Sequence, residues 1–213
     1  MPELNHKVSR IFNVTGFVFS VLGAILFLFL VGLAHYYAHE AGFILKDWEL
    51  SELVLDSNKA KILFNSGIIL YGSFLFIALI PMVKYFREKN KHKIFIPLAI
   101  ITCISLIGVG AFSEDQFPTF HYIVALIFYL FVGSLTVYSS TILVKYDRSI
   151  SIVYPIIGYT SIFMLIFNVA TRWFFGQAYT QRIAICLIML FFLLISGKIL
   201  LKKEDLQNNK IQK

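Results

Sequence analysis

Glu114, Asp115 and His121 fall within eight residues of one another, in the stretch that runs from Gly108 through Gly110, Phe112 and Pro118. Two adjacent carboxylates raise each other's pKa. An imidazole nearby can pair with them, shuttle a proton or share a metal ion with them. These three are the candidate catalytic residues. Pro118 stiffens the short turn, so acid and imidazole are expected to face each other. The plainer alternative is that the acids solvate a loop and His121 is an interfacial side chain.

A second set of polar residues belongs with them. His35 and His39 are four apart and share one helix face, a spacing that suits a metal ion but needs a third ligand. Asp115 and His121 are the candidates for completing it. A divalent metal is therefore open, whereas no organic cofactor has a signature here. Ser51, Glu52, Asn65, Ser66, Asn168, Arg172 and Arg182 are candidate ligand-binding residues. Either arginine can hold a phosphate in a fork, and Arg172 can instead pair with Glu114 or Asp115. A nucleophile elbow, a zinc-protease helix and a phosphate loop are all absent.

The elements that must position these groups are membrane helices. Hydrophobic residues make up 58% of the 213, charged residues only 15%, and mean hydropathy is +0.77. Soluble domains carry roughly 25% charged residues, so this chain cannot clothe a soluble shell. Apolar runs cover 12–36, 62–83, 94–112, 121–144, 151–171 and 182–201. About 20 residues suffice to cross a bilayer as a helix, and none of the runs alternates as a barrel strand would. The expected fold is all-α: a polytopic membrane protein with six transmembrane helices in one bundle. Pro97 and Pro155 are expected in first turns, where they break nothing.

Lysine and arginine set the orientation. With the N-terminus inside, 14 of the 19 fall on the inner side and only Lys46, Lys59, Lys61, Arg172 and Arg182 on the outer. Both termini are therefore expected in the cytoplasm, with the protein in the cell membrane. The charges track the membrane boundary, which argues against nucleic acid and for anionic lipid headgroups as the partner. No protein partner is specified. The candidate polar residues all gather at the outer helix ends. Polar groups are costly in hydrocarbon, so such a cluster is a candidate site.

The first run is too long for a cleavable signal and reads as a retained helix. Cys103 and Cys186 lie inside spans and read as packing residues. The whole chain, 1–213, reads as one domain, with 202–213 as a short polar cytoplasmic tail. The outer loop 37–61 holds Asp47, Trp48, Glu49, Glu52 and Asp56 among Leu50, Leu53, Val54 and Leu55. It can form a short amphipathic helix on the interface or a lid over the polar cluster.

Ser51-Glu52-Leu53, Phe64-Asn65-Ser66-Gly67 and Gly108-Val109-Gly110-Ala111-Phe112-Ser113-Glu114-Asp115 followed by His121 form an ordered set. In this the chain resembles the prokaryotic membrane proteins catalogued as domain of unknown function 998, over roughly residues 10–201. Ser113 stands where members usually have proline, and Gln181, before Arg182, stands where they often have glutamate. The group is distantly Frag1/DRAM-like. The resemblance implies the six-helix frame and a lipid-related membrane role by analogy, and no defined activity.

Two functions compete. One is a non-catalytic membrane protein that binds a lipid or small ligand in an outward-facing polar pocket, or uses the polar knot structurally. The other is a membrane-embedded hydrolase or transferase acting on lipid headgroups, with metal assistance an option. The spans lack mid-membrane acids, which argues against a proton-driven transporter.

Overall fold

The computed structural model describes the backbone of residues 2–40, 50–146, 152–171 and 178–211, and the side chains of 11–40, 50–55, 57–146, 152–167 and 180–200. Arg172, and Asp47, Trp48 and Glu49 of the first loop, lie outside the described residues, as do the side chains of Asn168 and Asp56.

Every described element is helical: α1 Pro2–Glu40, α2 Leu53–Asp56, α3 Asn58–Glu88, α4 His92–Ala111, α5 Pro118–Tyr146, α6 Val153–Thr171 and α7 Ala178–Ile211. Each long helix corresponds to one of the six apolar runs. Five of them are long and apolar enough to cross a membrane. The sixth, α6, is apolar over its described side chains, Val153–Phe167. The protein is an all-α, polytopic integral membrane protein. Large apolar side chains such as Ile104, Leu130 and Ile166 face outward, where a soluble protein would carry charge.

The long helices pack as a ring in chain order. α1 lies against α3, α3 against α4, α4 against α5, α5 against α6 and α6 against α7, and α7 closes back onto α1. α7 also touches α3 and α5, so it leans toward the middle. Asn13 of α1 donates to the Ile199 carbonyl of α7 at 3.4 Å, fastening the closure from within.

Small residues let backbones approach where hydrophobic force between helices is weak. A Cβ on Gly110 of α4 would stand 2.8 Å from the Asn65 carbonyl oxygen of α3. One on Gly72 of α3 would meet Ile107 Cγ1 of α4 at 2.8 Å. The Gly108-x-Gly110 pair thus serves close packing, since Gly108 likewise admits Val124 of α5.

At the lysine-rich end, α3 stops in a Schellman turn. Asn90 takes a left-handed conformation (φ 55°), its N–H bonds the Arg87 carbonyl, and the Lys91 N–H bonds that of Phe86. The turn stacks Phe86 on Phe95 at 4.2 Å, and the Tyr138 hydroxyl bonds the Lys91 carbonyl at 2.9 Å. Aromatic rings therefore plug that end of the bundle.

Two sequence expectations change. Pro97 is the sixth residue of α4, beyond the first turn, because the helix starts two residues earlier than its apolar run. The polar segment that follows residue 201 is helical as far as Ile211, where α7 ends. The segment around α2 does not lie on the membrane interface. Leu50, Leu53 and Val54 are buried in the bundle and only Leu55 faces out, since three aliphatic side chains gain more by burial in the core than at the surface.

Candidate functional site

Glu114 and Asp115 point to different surroundings, and this decides the site. The chain leaves α4 at Phe112, turns through Ser113 N-terminal to two hydrogen bonds back to its carbonyl, and enters α5 at Pro118. Proline at a first helical position loses no bond, so His121 falls in the opening turn of α5. Asp115 faces outward. Its carboxylate takes Lys61 Nζ at 2.6 Å on one oxygen and the Ser113 hydroxyl on the other. Burial works against its charged form. The Lys61 and Ser113 bonds outweigh that and hold the carboxyl below the usual aspartate range. The mutual elevation expected of neighbouring carboxylates does not occur at Asp115, because Lys61 supplies an opposite charge at contact distance.

Glu114 turns inward and is only 8% exposed. Tyr122 donates to its Oε1 at 2.5 Å. Its Oε2 has no hydrogen-bond partner among the described residues and lies 3.9 Å from His121 Nε2. His121 is 4% exposed, with Nδ1 2.8 Å from the Phe112 carbonyl oxygen. A carbonyl only accepts, so Nδ1 carries a proton, and whenever the ring is neutral Nε2 presents a lone pair.

His121 also lines a cavity of ≈ 320 Å³ enclosed by α1, α3, α4, α5, α7 and the segment before α2. Polar groups stand at its lysine-poor end: His121, Tyr122, Ser51 and Gln181. Its deeper walls are mostly aliphatic and aromatic, from Phe64, Leu106, Phe128 and Ile188, with the hydroxyl-bearing rings of Tyr71 and Tyr129 among them. Gln181 to Ile188 covers seven residues of α7, so the cavity runs roughly 11 Å along the bundle. Gln181 is 7% exposed. Its Oε1 accepts the Leu50 N–H at 2.6 Å, and its Nε2 donates to the Tyr129 hydroxyl at 3.0 Å. The segment before α2 is thereby tied over the cavity by α7.

The other candidates divide. Ser51 is buried and lines the cavity, whereas Glu52, Asn65, Ser66 and Arg182 do not line it. Asn65 presents its backbone to Gly110 instead. His35 Nδ1 lies 2.8 Å from the Val31 carbonyl oxygen of its own helix, and His39 is exposed. Among the described residues no three His, Cys, Asp or Glu side chains are grouped to hold a metal ion, so His35, His39, Asp115 and His121 do not converge. A bond to its own helix turns His35 aside, and Lys61 engages Asp115.

Lys61, Tyr122, Tyr129 and Gln181 escaped the sequence reading. Gln181 was visible only as a departure from a family pattern. Tyr122 and Tyr129 are seven apart, two turns on one helix face, but they are two of 11 tyrosines in an aromatic-rich chain. No protein-family model, no curated protein and no solved structure matches this chain.

Proposed function

We propose that the protein binds an amphiphile, a membrane lipid or a lipid-like small molecule, in the cavity between α1, α3, α4, α5 and α7. The observation that carries this reading is the polarity gradient along the cavity: walls that are mostly apolar at depth, and His121, Ser51 and Gln181 at the lysine-poor mouth. The volume of ≈ 320 Å³ lies at the small end of the roughly 300–1,000 Å³ range of ligand pockets. It suits one short chain with a small head rather than a whole phospholipid. Leu126 lines the cavity and yet is 61% exposed on the outside of α5, which gives a ligand a route from the bilayer.

The test is equilibrium uptake of tritiated decanol by the protein in lipid nanodiscs, with uptake by empty nanodiscs subtracted. The wild type is expected to show a saturable component of one site. Ala125→Trp or Ile185→Trp, each filling the cavity from a different helix, is expected to remove it while leaving thermal stability nearly unchanged. Uptake that never saturates, or saturable uptake unaffected by either substitution, refutes the proposal.

A further inference from the structure

The chemistry at the mouth of the cavity selects the head of the ligand. Resting on the amphiphile-binding reading, we infer that the site takes a head that donates hydrogen bonds, a hydroxyl or an ammonium, and rejects carboxylate and phosphate heads. Three observations lead there.

First, two buried acceptors are left over here: His121, which lines the cavity, and Glu114, which stands behind His121 and Tyr122 without lining it. Glu114 Oε2 is buried with no hydrogen-bond partner among the described residues, and it faces His121 Nε2 across 3.9 Å. With Nδ1 turned to the Phe112 carbonyl, a neutral His121 offers a lone pair there. Two acceptors face each other with no donor between them, and a buried unmet acceptor is unfavourable. An ammonium set to one side, about 2.8 Å from each, satisfies both, and a hydroxyl satisfies one of them.

Second, several of the donors nearby are already used, although the Ser51 hydroxyl also lines the cavity. Tyr122 gives its hydroxyl proton to Glu114 Oε1, and the Gln181 amide gives to Tyr129. The Leu50 N–H is taken by Gln181 Oε1.

Third, no lysine or arginine lines the cavity among the described residues. Lys61, in the first turns of α3, is held by Asp115. An anionic head would enter close to the Glu114 carboxylate with no lining cation to meet it, and burial of such a charge unpaired is costly.

The experiment compares four probes of one chain length, decanol, decylamine, decanoate and decyl phosphate, on the wild type in nanodiscs at pH 8. Occupancy is referred to the amount of each probe in empty nanodiscs. Decanol and decylamine are expected to bind at least about tenfold more tightly than either anion, the scale of one hydrogen bond to a charged group. In Glu114→Gln, which puts an amide donor where a carboxylate oxygen stood, the amine-to-carboxylate preference is expected to fall by about tenfold or more. If all four probes bind alike, or the anions bind better, the head-group inference fails while the binding site stands. If none binds saturably, the amphiphile reading itself fails. Should Glu114→Gln not fold, the wild-type ratio alone still decides.

Discussion

Adjacent carboxylates in a sequence invite a single description, and Glu114 and Asp115 refuse it. One is buried beside an imidazole; the other is a partly exposed ion pair with Lys61. The difference has a pH signature. The Asp115 carboxyl is held below its ordinary value, so its contribution to stability is complete above the unfolded aspartate value of about 3.9. It is lost as pH falls through the lower folded value. Asp115→Asn is therefore expected to destabilise the protein by at most about 1 kcal/mol at neutral pH, as partly exposed pairs do. Thermal melts of the two proteins should converge as pH drops below about 3.9. A difference that stays constant down to pH 2 would show that the pair is not the cause. The acids and His121 were legible because charged groups stand out against an apolar chain. Lys61 was not, because it lies 54 residues from Asp115 and nothing local announces the pairing.

At the scale of elements, the six apolar runs were legible because bilayer thickness sets their length, and α1, α3, α5 and α7 extend beyond theirs at both ends. The segment around α2 was harder. Its leucines fit a surface helix as well as a buried turn, and only the Gln181 bond and the space beneath distinguish them. The glycines before the acidic pair look like part of the site's motif, but they serve packing, Gly108 against the Val124 side chain and Gly110 against α3, including the Asn65 carbonyl. Gly110→Ala is expected to cost about 1–3 kcal/mol, because its methyl would meet the rigid Asn65 carbonyl. Gly32→Ala, with nothing within 4 Å of the new carbon, is expected to be neutral or slightly stabilising. Thermal unfolding in detergent ranks the two, and equal melting temperatures would remove the packing explanation for Gly110.

For the molecule as a whole, the arrangement of helices in a chain-order ring follows from short connections between successive spans. Sidedness rests on charge alone: the turn at Lys89–Lys91 is basic, while Ser113–Pro118 carries two acids. Gln116→Cys is therefore expected to react with a membrane-impermeant maleimide on intact cells. Asn90→Cys should react only after the cells are opened. Both sites are exposed, and Cys103 is buried, so the native background comes from Cys186 and is removed by Cys186→Ser. The reverse pattern of labelling would invert the protein in its membrane and put the cavity mouth on the cytoplasmic side.

The bond from Leu50 to Gln181 has a temporal side. Its two partners are 131 residues apart, and a ribosome adds roughly 5–20 residues each second, so the acceptor emerges on the order of ten seconds after the donor. During that interval the amide of Leu50 lacks its Gln181 acceptor. Gln181, Ile185 and Ile188 of α7 supply one wall of the chamber, so a nascent chain stalled ahead of Gln181 would hold the walls from α1, α3, α4 and α5 around a well open on that side.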